Sequence, residues 1–411
     1  MMEKAIHKEK TESSEFSELS ESLRSFLRAH ADDDVRQLAL KADKYPEIDM
    51  PFALNQIAGR QTACHKLPTF AAVDGLLYPP HLSMEQCSSE QTARYKAHVV
   101  SRWAGSSATM ADLTGGYGID FYFMGRQFGT STYVERQEPL FAIVRHNLAL
   151  LPNAQHADFH LQCADGVEYL RKMKPVDLLY LDPARRDVHG AKTYALEDCT
   201  PDVAALRGLL LEKAPHVVLK LSPMFDWHQA VRQLEGVREV HIVSVANECK
   251  ELLLVLSREP SASLSVTCVN DSSVLTFDDG EASVVYQESP VEAGQYLYEP
   301  NASLMKSGLF GKLCERYGVR MIGRDSHLFV SSSFIKDFPG RQFQIEAFCS
   351  LKEARQILRN MEKANITVRN FPMSVQELRK RLKLKDGGDS YLFATTLQKE
   401  AHTLIICKKV L

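Results

Sequence analysis

Along the first hundred residues apolar positions recur three and four apart, and from about residue 108 they gather into short continuous runs. That change of period divides the chain. Phe16, Leu19, Leu23, Phe26 and Leu27 form a stripe that predicts an amphipathic helix. A second helical stretch follows around Ile57, and the polar stretch from Ser83 to Lys96 ends in a basic helix that delivers the chain to a first strand. That strand is signalled by Ala108, Met110, Ala111 and Leu113. Helix Ile119–Gln127, strand Ser131–Val134, helix Pro139–Leu151, strand Phe159–Cys163 and strand Val176–Leu181 follow in alternation. Val217–Leu221 is apolar almost throughout, as a central parallel strand requires, and leads to a helix over Trp227–Leu234. Strands Glu239–Ala246 and Glu251–Leu256 are separated only by Asn247–Lys250, a turn short enough to force antiparallel pairing.

Beyond this the texture changes. Strand-like pieces at Leu264–Val269 and Ser283–Tyr286 precede a predicted loop, Tyr296–Ser303, that opens a helix running through Cys314. Strands are expected at Leu328–Ser331, Gln344–Phe348 and Ile366–Arg369, with a helix over Leu351–Lys363. Ser374 and Glu377 make a capping box for a helix carrying Arg379, Lys380 and Arg381, and two strands, Tyr391–Leu397 and Thr403–Cys407, close the chain. These elements suggest one or two small α+β modules.

Composition adds limits. At 411 residues and 45% hydrophobic the chain is long enough for two or three domains with real cores. A net charge of −3 gives no global field toward nucleic acid or membrane, so a polyanionic partner needs a local patch. The nine cysteines contain no C-x-x-C pair, which argues for reduced thiols and against a zinc site; no metal is expected. Met1–Ser14 has no apolar core of a signal peptide and no run is long enough for a membrane helix, so a cytoplasmic protein with no membrane partner is expected.

The densest chemistry lies in Asp112-Leu113-Thr114-Gly115-Gly116-Tyr117-Gly118-Ile119-Asp120, where an acidic residue closes a strand and a glycine turn opens a helix. Glycines let backbone N–H groups approach a ligand where a Cβ would collide. A dinucleotide loop would place a third glycine where Phe121 stands, so a nicotinamide cofactor is disfavoured. Acidic residues recur at the ends of four successive strands, Asp112, Glu135, Asp165 and Asp182, and in an open α/β sheet those ends converge on one crevice.

This order resembles the first motif of class I S-adenosylmethionine-dependent methyltransferases, and the strand–helix alternation ending in an antiparallel pair resembles their Rossmann-like, seven-stranded sheet. The resemblance implies S-adenosyl-L-methionine as cofactor, held by Asp112, Thr114, Gly115, Gly116, Gly118 and Asp120, with Glu135 on the ribose hydroxyls and Asp165 on the adenine amine. It also makes Gln86, Ser88, Ser89 and Thr92 candidates for the methionine end, Ser88 foremost. Asp182-Pro183-Ala184-Arg185 resembles the (Asp/Asn)-Pro-Pro-(Tyr/Phe) signature of enzymes that methylate planar amine nitrogens, but Ala184 and Arg185 replace its second proline and its aromatic. Asp182, Pro183 and Arg185 are thereby the catalytic candidates. Arg185, Arg186 and Lys220 border the expected crevice and are substrate candidates, although each can also balance nearby carboxylates.

The full arrangement resembles a bacterial methyltransferase family with C-terminal ferredoxin-like and THUMP-like pieces, the latter RNA-binding modules. It implies a helical N-terminal region (1–82), a catalytic domain (83–270), a ferredoxin-like module (271–320) and a THUMP-like α+β domain (321–411). It also implies methylation of a base nitrogen in structured RNA, tRNA or rRNA, with Arg379, Lys380 and Arg381 as phosphate contacts. Two other readings stay open at this point: a small-molecule or protein methyltransferase whose C-terminal modules dimerise, and an RNA-binding protein that has lost catalysis.

Overall fold

The computed structural model describes residues 20–152, 158–185, 196–259, 263–398 and 401–410, and its contacts divide the chain into two compact units. The first comprises residues 1–238 with 253–260, the second residues 239–252 with 261–411.

The first unit is built on parallel strands β1 (Gly105–Asp112), β2 (Phe128–Glu135), β3 (Asp158–Cys163) and β4 (Leu178–Leu181). A short pair, β5 (Ala184–Arg185) with β6 (Cys199–Thr200), follows β4, and β7 (His216–Leu221) completes the set. The order is β3-β2-β1-β4-β7, with all neighbours parallel. The chain therefore runs outward through β2 and β3, then restarts on the other side of β1. The gap above β1 and β4 is a topological switch point, where open α/β sheets bind ligands. Strand β4 is buried along its whole length whereas β3, at the edge, alternates between exposed and half-buried residues. Helices Ile119–Gly125, Glu138–Leu150, Gly166–Lys172 and Val203–Lys213 make the crossovers. Met110, Phe121, Tyr133, Val144, Leu178 and Val218 are central to the core, joined by Phe70 and Val100 from the preceding helices.

Those preceding helices include Glu21–Ala29, capped by Ser20; Met50–Lys66, capped by Asp49; and Glu90–Val100, capped by Ser89. Phe26, Leu38, Ile48 and Ile57 form a small core of their own. The described start of the first helix carries Leu23, Phe26 and Leu27 of the expected stripe; Phe16 and Leu19 lie outside the described residues.

β8 (Val237–Val245) and β9 (Glu248–Ser257), whose residues are divided between the two units, are followed in the second unit by β10 (Ser265–Asn270) and β11 (Ser273–Asp278). β10 pairs parallel with β8 and antiparallel with β11. Among the described residues the large sheet thus counts nine strands, not seven. The physical reason is edge protection: β8 buries Val240 and Ile242, and β10 pairs the backbone groups it would otherwise leave open.

A second sheet holds β12 (Tyr296–Pro300), β13 (Arg320–Met321), β14 (Phe329–Ser331), β15 (Gly340–Cys349), β16 (Asn365–Arg369), β17 (Ser390–Thr396) and β18 (His402–Lys409), in the order β13-β14-β12-β15-β18-β17-β16. Three expectations are corrected here. Tyr296–Pro300 is a strand rather than a loop, because alternating Tyr and Leu fill a half-buried pleat and only Asn301 is left to cap the next helix. The helix expected over Leu351–Lys363 reduces to Ala354–Ile357, since Glu362 and Ala364 are drawn into backbone bonds with Lys385 that a helix could not make. Ser283–Tyr286 contributes a single bridge, Tyr286 to Met321.

Glu299 of β12 is buried and accepts from Arg341 Nε at 2.7 Å and Arg369 Nη2 at 2.9 Å. Glu299→Gln removes the only anion of that triad and is expected to cost about 2 kcal/mol, less than a wholly buried pair because both arginines reach water. A fall in the urea midpoint checks it.

Candidate functional site

The glycine loop closes over a tyrosine. Gly115 donates its N–H to Val134 O at 2.9 Å, and a Cβ there would stand 2.1 Å from the Tyr133 ring. Tyr133 donates its hydroxyl to Gly116 O at 2.6 Å. Gly118, at φ +74°, caps the helix Ile119–Gly125 in the left-handed region and donates to Gly115 O at 2.9 Å. Gly116, at φ +55°, is different: the nearest atom to its missing Cβ is Thr114 O at 3.8 Å. Its outer face is open.

Carboxylates ring this loop. Asp112, at the end of β1, is buried and accepts the Thr114 N–H at 2.9 Å. Glu135, at the end of β2, accepts from Gly116 N–H (2.9 Å) and Gln137 N–H (2.8 Å). Each keeps lone pairs for further donors. Asp165, after β3, caps the helix Gly166–Lys172 by accepting the Val167 and Glu168 N–H groups. Gly166 beside it brings the backbone against Leu113 O, where a Cβ would sit 2.2 Å away.

Behind the loop lies a network of buried charges. Asp120, on the first turn of the helix Ile119–Gly125, accepts hydroxyls from Ser88 (2.8 Å) and Tyr180 (2.7 Å), and Lys96 Nζ stands 3.2 Å from its other oxygen. Lys96 is fully buried and also donates to Ser88 Oγ at 3.1 Å. Lys220, on β7, lies 3.7 Å from Asp120 and donates to Asp182 Oδ2 at 2.6 Å. Asp182 donates its own backbone N–H to Thr114 Oγ1 at 2.6 Å, which ties the end of β4 to the glycine loop. Two ammonium groups and two carboxylates balance, which is how charge survives burial.

The fields are opposite at the two inner acids. Burial pushes Asp112 well above the ordinary carboxylate range, and the negative charges of Asp120, Asp182 and Glu135 add to it. Burial acts the same way on Asp120, but Lys96 and Lys220, with the two hydroxyls, outweigh it and hold the group below the usual value. A raised acid binds its proton more tightly folded than unfolded, so its contribution to stability is present below about pH 3.9 and is lost as pH rises through the raised value. Asp112→Asn keeps the acceptor for Thr114. It is therefore expected to be more stable than wild type at pH 7, the gap closing as the pH is lowered toward about 4; urea titrations across that range check it.

The structure thus brings Ser88, Asp112, Thr114, Gly115, Gly116, Gly118, Asp120, Glu135, Asp182, Pro183 and Lys220 to one end of one sheet. Ser89 and Thr92 serve the helix cap, and Gln86 is exposed. Arg185 is placed by its backbone in β5; Arg186 lies outside the described residues. On the other unit Lys380 and Arg381 are exposed, while Arg379 is engaged with Asp386 and with Ala364 O at 3.4 Å. Sequence reasoning missed the roles of Lys96 and Tyr180. Lys96 falls on the buried face of its helix with Ala93, Ala97 and Val100, a register in which a lysine needs an acid. Tyr180 is the one polar tip in an apolar strand. Among the described residues no group of three or more His, Cys, Asp and Glu side chains could hold a metal ion.

Comparison with known proteins bears on this site. Residues 296–339 match a family of ferredoxin-like domains, and residues 340–409 match a THUMP domain-like family. The crystal structure of a candidate methyltransferase from Porphyromonas gingivalis W83 superposes with a TM-score of 0.82 at 31% identity, covering 95% of this chain and 98% of that one. A class I S-adenosylmethionine-dependent candidate from Listeria monocytogenes gives 0.39 at 12% identity, over 62% of this chain and 94% of its own. A candidate methyltransferase from Streptococcus mutans, in complex with S-adenosylhomocysteine, gives 0.31 at 12%, over 40% and 95%. No curated protein matches the chain.

Proposed function

This chain belongs to the family of S-adenosylmethionine-dependent methyltransferases represented by the Porphyromonas gingivalis protein, and from that premise we propose that it methylates a base nitrogen of structured RNA, tRNA or rRNA. The observation that carries the choice of nitrogen is Asp182: it follows the last residue of β4, is hydrogen-bonded through its backbone to the glycine loop, and keeps 39% of its side chain exposed. A carboxylate in that place accepts the hydrogens of a planar amine and leaves the nitrogen lone pair free to attack.

The residues fit the cofactor. Gly116 leaves its outer face open, and Glu135 has acceptor capacity left for a vicinal diol. Asp165 would take the adenine amine with the lone pairs its helix cap leaves unused. When bound, S-adenosylmethionine supplies a methyl already activated on a sulfonium. The chain's task is orientation and exclusion of water. Lys220 holds Asp182 in place, and Asp120 with Lys96 anchors Lys220 from behind. Pro183 fixes the backbone as it leaves the strand.

RNA as substrate is supported by the THUMP-like match over residues 340–409 and by the exposed Lys380 and Arg381 within it. Lys380→Ala and Arg381→Ala are each expected to weaken RNA binding uniformly across sequences and to reduce the slope of log affinity against log salt by about 0.7–0.9. Arg379→Ala, whose guanidinium is engaged with Asp386, should change the slope less. Filter binding across a salt series tests the assignment, and equal slopes for all four proteins would refute it.

A further inference from the structure

We propose that a cavity between the helical N-terminal region and the helix Glu138–Leu150 binds a phosphate monoester carried on an apolar or planar body, for which a nucleoside monophosphate is the simplest form. The cavity measures about 410 Å³, within the range of small-molecule sites. Its charged rim comes from Arg24 and Arg28, one turn apart on the helix Glu21–Ala29, and from Arg60 on the helix Met50–Lys66. Among the described residues none of these guanidiniums has a carboxylate within ion-pair distance. Among the described residues Asp74 is the only acid on the rim, so three positive charges face one negative.

That surplus of two selects the ligand. A carboxylate would neutralise half of it, whereas a phosphate monoester near pH 7 is close to dianionic and offers oxygens that match the guanidinium fork. Apart from Gln56 and His146 the rest of the wall is apolar, and Leu27, Ile57, Leu76, Tyr78 and Leu150 suit a base or similar body.

The wall is also rigid. Gln56, a buried amide, brackets Tyr78 by accepting its N–H at 2.8 Å and donating to its carbonyl at 3.0 Å. Asn147 does the same for Leu77, at 2.8 Å in both directions. His146 Nε2 donates to Gly75 O at 2.8 Å. Gly59 lets the helix Met50–Lys66 come so near Tyr78 that a Cβ would stand 2.3 Å from its Cβ. Two buried amides and a glycine spent on holding one extended segment make a preformed pocket, which lowers the ordering cost of binding. Neither the methyl-transfer site nor the RNA assignment uses any of these arginines.

Calorimetry on the full chain tests this, with S-adenosylhomocysteine present in excess to fill the cofactor crevice. Uridine 5′-monophosphate is expected to bind with a dissociation constant below about 1 mM, and uridine at least about tenfold more weakly. Arg24→Ala/Arg28→Ala and Arg60→Ala should each weaken the monophosphate about tenfold and leave S-adenosylhomocysteine binding unchanged. Arg28→Lys, which keeps the charge and loses the fork, should fall between. A 5′-phosphorylated oligoribonucleotide that outcompetes its 5′-hydroxyl counterpart identifies an RNA end as the source; binding of the free mononucleotide alone identifies a metabolite. No heat at millimolar monophosphate, or binding untouched by the arginine substitutions, overturns the proposal. Should S-adenosylhomocysteine itself fail to bind, the family-based reading is in trouble, while the arginine variants still judge this site.

Discussion

Replacing Asp182 by Asn is expected to lower the rate of methyl transfer by about 10²- to 10³-fold, the usual cost of losing one preorganised electrostatic contact to the reacting centre. Cofactor affinity should stay within about twofold, because the tie to the glycine loop is made by the backbone N–H of residue 182 and survives the change. An amide can still accept hydrogen bonds, but it lacks the negative charge that favours an amine becoming cationic as it attacks. The substitution also leaves Lys220 without its 2.6 Å partner, and Asp120 at 3.7 Å is only a partial substitute. Asp182→Asn/Lys220→Met restores the balance of charge without restoring the carboxylate. If that double variant remains as slow as the single one, the loss belongs to Asp182 itself; if activity returns, a stray ammonium was to blame. Single-turnover rates and calorimetry with S-adenosylhomocysteine separate chemistry from binding.

The second large effect is one of stability. Lys96→Met keeps the length of the side chain and removes its charge, leaving a buried carboxylate at Asp120 with two hydroxyls and the more distant Lys220. Breaking a buried pair from one side costs about 3–5 kcal/mol, and the remaining partners place the expected loss near 3. Lys96→Met/Asp120→Asn should recover much of it, since Ser88 and Tyr180 can donate to an amide oxygen as well as to a carboxylate. The pH dependence has a definite sign. Asp120 is held below the ordinary carboxylate value in the fold, so its contribution is complete above about pH 4 and disappears as pH falls through the lowered value. The penalty of Lys96→Met is therefore largest at neutral pH and shrinks in acid, opposite in direction to the Asp112 effect. A cycle of urea titrations at pH 7 and at low pH checks both claims.

These two predictions also mark where the sequence was legible. The position of Asp182 was legible, because the apolar run before Asp-Pro marks the fourth strand, and the structure places Asp182 directly after it. The glycine loop was equally plain, and its failure to match a dinucleotide loop at Phe121 has a visible cause: that ring is fully buried against Tyr133 and Phe159. Lys96 and Tyr180 were not legible as a pair, since they lie on different elements and both reach Asp120. Asp165 illustrates a different limit. An acid between a strand and a helix reads equally well as a ligand acceptor and as a helix cap, and it visibly does the second. Arg379 looked like its neighbours Lys380 and Arg381, but Lys383 in the left-handed region turns the chain so that Asp386 reaches back to it. β10 was legible as the strand-like piece Leu264–Val269, but its place in the large sheet was not, because pairing between β8 and β10 joins segments more than twenty residues apart, beyond any local period.

The most direct test of the central claim is transfer of a labelled methyl group from S-adenosylmethionine to purified tRNA and rRNA, followed by digestion to nucleosides. Label in RNA, recovered as a nucleoside methylated on a base nitrogen and reduced at least about a hundredfold by Asp182→Asn, is the predicted result. Label recovered only in protein or small molecules, or RNA that is bound but never methylated, would contradict it.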